Sequence, residues 1–158
     1  MSSETTNNKS CEVDFYLLGE ASKGADRVVC QLALMAWERN QKIFIITSTE
    51  SSAKRLDELM WQYPEGRFLP HAMAGTVKTG LPAGTDANKA PINIGTLSSL
   101  YPSDVVINLC PEAVPQPQRF SRVLEIVPYA SEEREASRVK FKSYRNLGLN
   151  PRMQEINT

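Results

Sequence analysis

Residues 42–64, "KIFIITSTESSAKRLDELMWQYP", pass from one periodicity to another within a few positions. The run "KIFIITS" is β-branched and aromatic, with no polar residue from Ile43 to Ile46, and reads as a strand buried on both faces. Capping residues follow. Leu56, Leu59, Met60 and Tyr63 then recur on one helical stripe, which Pro64 closes. Trp61 points about 100° or more away from that stripe, so packing against the same neighbour does not require it.

The same alternation extends outward. "VDFYLL" (13–18), "PINIGT" (91–96), "VVINLC" (105–110) and "RVLEIVP" (122–128) are short apolar runs bounded by turn formers. Between the first two strands, "ADRVVCQLALMAWERN" places Val28, Val29, Leu32, Met35 and Ala36 at helical spacing, with Asn40 as a left-handed cap. Strand and helix alternating in this order predict an α/β fold. We expect a single open, mainly parallel sheet of about five strands with helices on both faces.

The expected domain runs from 13 to 150, preceded by a flexible arm at 1–12 and followed by a C-terminal tail at 151–158. The Gly- and Pro-rich stretch 75–91 reads as a long surface loop. "CPEAVPQPQRF" reads as irregular backbone with one short helix.

At 158 residues, with 18 basic and 18 acidic side chains, the chain is one ordinary domain of zero formal charge. That balance gives no whole-molecule attraction to nucleic acid. The apolar runs are too short to cross a bilayer, and "MSSETTNNKS" lacks the apolar segment of a signal peptide, so a cytoplasmic protein is expected. Cys11, Cys30 and Cys110 are widely spaced and form no CxxC, which suggests neither a disulfide framework nor a metal site.

Catalytic signals are sparse. The turn "GEASKGAD" has glycines at 19 and 24 spaced as in a phosphate-binding loop. It puts Ala25 and Asp26 where that loop needs Lys and Ser or Thr, so no nucleotide site or cofactor is expected. The single histidine, His71, has no nucleophile or carboxylate at a motif spacing, and structural or interface use is favoured.

Binding signals are stronger. In "EREASRVKFKSYRNLG", Arg134, Arg138, Lys142 and Arg145 fall within an arc of about 80°, and Phe141 lies on its edge. Ala136, Val139, Ser143 and Leu147 occupy the far side and are expected against the sheet, with Tyr144 between the two faces. Lys140 lies toward the buried side, its stem snorkelling to water. Cations beside an aromatic suit an acidic peptide with an aromatic end, or single-stranded nucleic acid through stacked bases and phosphates. A second patch gathers Trp61 and, just downstream, Phe68, Leu69, Pro70 and His71, a proline-stiffened anchor for a protein partner.

Five stretches together resemble one family. They are "FYLL", "LDELMWQYPEGRFLPHAMAG", "DVVINL", "FSRVLEIVP" and "SRVKFKSYRNLG", in consistent order from about residue 13 to 149. This set resembles the chi subunit of bacterial DNA polymerase III. The resemblance implies a fold akin to nucleotide-binding domains without their function, and an accessory, non-catalytic role in the clamp-loader assembly. It implies two partners, the psi subunit and the acidic C-terminal tail of the single-stranded-DNA-binding protein (SSB), so that association with single-stranded DNA is indirect. Carried over by motif, the tail-binding residues are Arg134, Arg138, Phe141, Lys142 and Arg145, and the psi-facing residues are Trp61, Phe68 and Pro70. The alternative on the same basic helix is a module that binds single-stranded nucleic acid directly.

Overall fold

The structure, a computed structural model, describes residues 11–19, 24–63, 66, 69–74 and 90–156. Phe68, most of the Gly19 to Gly24 turn and most of the 75–91 loop lie outside the described residues. Seven strands form one sheet: β1 (Glu12–Leu18), β2 (Ile43–Ile46), β3 (His71–Met73), β4 (Ile92–Gly95), β5 (Val105–Asn108), β6 (Arg122–Val127) and β7 (Arg152–Ile156). The helices are α1 (Ala25–Glu38), α2 (Glu50–Met60) and α3 (Ser131–Asn146).

The strand order is β3-β4-β2-β5-β6-β1-β7, and every pairing is parallel. From β1 the chain steps through α1 and α2 toward the β3 edge, then returns through β4, β5 and β6 and crosses by α3 to β7. Right-handed crossovers travelling in opposite directions must lie on opposite faces of the sheet. The core divides accordingly. One cluster packs Val29, Ala33 and Leu56 of α1 and α2 on Ile45, Ile94 and Ile126, and the other packs Tyr144 of α3 on Phe15, Phe44 and Val123. Adjacent strand residues go to opposite clusters, as Ile45 and Ile46 of β2 do, because side chains alternate across a pleated strand.

Local chemistry explains the helix boundaries. Thr49 caps α2 by accepting from the Ser52 amide at 3.1 Å, and Asn40 after α1 takes the left-handed conformation at φ 62°, which Asn tolerates better than most residues. Pro117–Arg119 form the short helical turn expected in the irregular 110–120 stretch.

Four expectations need correction. The sheet has seven strands rather than about five, and it is wholly parallel. Residues 152–156, expected in a tail, form edge strand β7 against β1. Met35, expected on the buried stripe of α1, is half exposed, and Ala33 takes the inward position. On α3 the expected inward face is turned away: Val139 is 63% and Leu147 52% exposed, while Ser137, Lys140 and Tyr144 are buried. Its buried face carries Tyr144, packed on Phe15, together with the polar Ser137 and Lys140.

Candidate functional site

Helix α3 is fixed from beneath by one carboxylate. Glu125 of β6 is fully buried and points to the α3 side of the sheet. Lys140 Nζ donates to its Oε1 at 2.8 Å, and the Tyr144 hydroxyl and Asn108 Nδ2 donate to its Oε2 at 2.6 and 2.9 Å. The Val114 amide in turn donates to the Tyr144 oxygen at 2.8 Å. Burial pushes the Glu125 carboxyl up from its ordinary value, and the Lys140 charge and these three donors oppose that push. Every oxygen of the carboxylate is satisfied, the condition under which a buried charge is tolerated.

With that side inward, the helix shows a basic side to solvent. Arg138, Lys142 and Arg145 are exposed. Arg138 pairs with Glu135 at 2.8 Å, but both side chains are about 70% exposed, so the pair contributes little and can be exchanged for a ligand carboxylate. Lys142 and Arg145 make no ion pair among the described residues. Arg134 is half-buried: its Nη2 donates to the Leu18 carbonyl at 3.0 Å, and its guanidinium lies 5.4 Å from the Tyr129 ring. Phe141 is also half-buried, 5.5 Å from the Phe15 ring, so it edges the core instead of standing free.

The structure therefore brings Arg134, Arg138, Phe141, Lys142 and Arg145 onto one side of one helix. From Arg134 to Arg145 the arc spans about 17 Å of helix axis, the reach of about five extended residues. Two neighbours escaped the sequence reading. Tyr129, 54% exposed, continues the arc beyond Arg134. Met153, 46% exposed, lies in register with Phe15 on β7 and so on the α3 side. Tyr129 follows the Pro that ends β6, where an exposed aromatic is a readable signal. Met153 could be placed only once β7 was known.

The Trp61 patch is elsewhere. Trp61 ends α2, is 56% exposed, and holds its ring 4.5 Å from that of His71. His71 is buried, its Nδ1 2.6 Å from the Leu69 carbonyl and its Nε2 3.0 Å from the Asp57 carbonyl. It thus ties β3 to α2 beneath the indole. Pro70 is half-buried beside it. This patch sits on the α1 and α2 face near the β3 edge, whereas α3 covers the other face over β6 and β1. The two sets of residues are therefore separated by the sheet.

At the carboxyl ends of β2, β5 and β6, where an open α/β sheet usually takes its ligand, a crevice is lined by Ser48, Leu109, Pro111, Pro128, Glu132 and Glu133. The first turns of α1, α2 and α3 carry Asp26, Glu50 and the Glu132, Glu133 pair. Those carboxylates sit where a phosphate would seek the positive helix ends. Among the described residues no group of three His, Cys, Asp or Glu side chains could hold a metal ion, and no helix is long and apolar enough to cross a membrane.

The chain is similar to known proteins over most of its length. Residues 11–152 match the family model of the DNA polymerase III chi subunit, HolC. DNA polymerase III subunit chi of Escherichia coli (strain K12) is 29% identical over 143 residues, covering 86% of this chain and 92% of that protein. The subunit of the same name from Pseudomonas aeruginosa is 31% identical over 138 residues, covering 86% and 90%. Among solved structures, a chain from an S. cerevisiae complex of Dbp5 with Nup159, Gle1, IP6 and ADP is similar in fold. The TM-score is 0.64 at 9% identity, over 92% of this chain and 42% of that one.

Proposed function

The chain belongs to the DNA polymerase III chi subunit family, and from that premise we propose that it is a non-catalytic adaptor with two separate protein-binding surfaces. It is an accessory subunit of the replicative polymerase assembly. In this reading the outward side of α3 holds the acidic C-terminal tail of SSB. Arg138, Lys142 and Arg145 meet its carboxylates, Phe141 offers a ring edge for an aromatic side chain, and Arg134 extends the charge toward Tyr129. The Trp61 and Pro70 patch, with Phe68, takes the psi subunit.

The observation that supports the proposal is that the two sets of residues lie on opposite faces of one sheet. A ligand on α3 leaves the Trp61 patch open, so one molecule can engage SSB and psi together. Joining two modest contacts through one rigid body raises the effective affinity of the assembly for SSB-coated DNA without any catalytic step. Contact with single-stranded DNA is then indirect, through SSB.

The test is co-precipitation of psi and SSB with the full chain and with Trp61→Ala and Arg138→Ala. The proposal requires Trp61→Ala to lose psi and keep SSB, and Arg138→Ala to do the reverse. Loss of both partners from either folded variant, or retention of both by each, would overturn it.

A further inference from the structure

Helix α3 has two sides that it could present to the sheet. One carries Ala136, Val139, Ser143 and Leu147, and the other carries Ser137, Lys140 and Tyr144. At about 100° per residue, each member of the second set lies one step from a member of the first. A roll of about 100° would therefore bring the first set inward and move the second to the flank of the helix. Apolar burial favours the first set, since Val139 and Leu147 would then leave water. The structure holds the second set inward, with Val139 63% exposed and Lys140 6% exposed.

The element that decides between these arrangements is on the sheet. Lys140 and Tyr144 are one turn apart on the helix, and both donate to the Glu125 carboxylate. A roll would break both bonds at once and leave the buried Glu125 with Asn108 as its remaining donor. We propose that Glu125 is a positioning residue that sets the roll of α3. The roll aims the basic arc and seats Phe141 on Phe15. In the rolled arrangement Phe141 and Arg134 swing away from Phe15 and the Leu18 carbonyl to the crest of the helix, and Lys142 moves around toward the 111–116 loop, so the proposed peptide face no longer borders Tyr129 and Met153. The link to peptide binding rests on the SSB-tail reading; the roll itself does not.

The experiment uses the full chain with Val139→Cys as a maleimide reporter, since Cys11, Cys30 and Cys110 are buried. With Glu125 present the introduced thiol reacts readily and Lys140 resists acylation. Adding Glu125→Leu should slow the thiol by about tenfold or more as the population shifts, and Lys140 should become acylated, as read by mass spectrometry. Binding of an acidic peptide with an aromatic terminus should weaken in Glu125→Leu, as Phe141 leaves Phe15 and Lys142 parts from the Tyr129 side. It should recover in Glu125→Leu/Lys140→Leu, where position 140 is again suited to face the core.

If Glu125→Leu does not fold, Glu125→Gln, which keeps the shape of the side chain, is read in the same two ways. A folded variant in which the thiol at 139 reacts as before and Lys140 stays protected overturns the inference. Labelling that shifts as described, in a protein whose unsubstituted form never binds the peptide, upholds the roll and rejects the SSB-tail reading instead.

Discussion

Lys140 Nζ lies 2.8 Å from Glu125 Oε1, with the lysine side chain 8% and the glutamate side chain 0% exposed. A basic residue in a strongly basic segment is thus withheld from the surface and used as an internal strut. Removing one member of such a pair strands the other charge in the core, at a cost of about 3–5 kcal/mol, whereas replacing both by apolar residues is often near neutral. Urea denaturation should therefore show Lys140→Met well below the unsubstituted protein, with Glu125→Leu/Lys140→Leu close to it. Equal midpoints for Lys140→Met and the unsubstituted chain would contradict this account.

A second buried carboxylate secures the sheet edge. Asp14 is fully buried and accepts from Arg122 Nη2 at 2.9 Å and from Arg152 Nε at 3.0 Å. Strand β7 is exposed along most of its length, so few apolar contacts hold it against β1. Asp14→Asn should increase amide hydrogen exchange across Arg152–Ile156 while the amides of β2 and β5 keep their protection. Unchanged exchange in β7 would mean that its ladder with β1 suffices alone.

The three thiols give a pH dependence of definite sign. Burial pushes Cys11 and Cys110 from 9.0 up to about 11, and Cys30 up to about 12. In the unfolded chain they ionise near their ordinary value, so their contribution to stability is whole below about pH 9. It is lost as pH rises through 11 to 12, because the unfolded state releases protons first. Stability should fall from about pH 9 onward, with the loss complete once pH has passed 11 to 12. At pH 8, a disulfide reagent should modify no native thiol rapidly and all three after denaturation.

Much of the fold was legible because buried parallel strands are continuous apolar runs, and five of the seven strands were recognised as such. Strand β3 is three residues long, and β7, "RMQEI", has an exposed edge strand's composition. Neither carries a local signal, and each forms because a neighbouring strand offers a ladder. The basic arc was legible from spacing alone. The inward face of α3 was not, since arithmetic on apolar residues assigns Val139 and Leu147 to the core. The charge of Glu125 amid Leu124, Ile126 and Val127 was the readable hint that the core here is polar.

Trp61 should be dispensable to the fold. Its indole is largely in solvent and packs on His71, so Trp61→Ala should cost about 1 kcal/mol or less and lower Tm by only a few degrees. Binding to purified psi, measured by calorimetry, should nonetheless disappear. A large drop in Tm would reassign Trp61 to the core.

Peptide length supplies a further check on the α3 face. An arc of about 17 Å accommodates about five extended residues, so SSB-tail peptides shortened from the N-terminal side should keep their affinity down to about that length and lose it below. A steady decline from much longer peptides would place contacts beyond Tyr129.

The most direct test of the central claim is calorimetric titration of an SSB-tail peptide into the unsubstituted chain and into Arg138→Ala/Lys142→Ala/Arg145→Ala, at two salt concentrations. The account predicts saturable binding that weakens as salt rises, with affinity falling by about tenfold for each cation removed. Equal affinity for the two proteins would contradict it, as would saturable binding of a single-stranded oligonucleotide to the same cations in the absence of SSB.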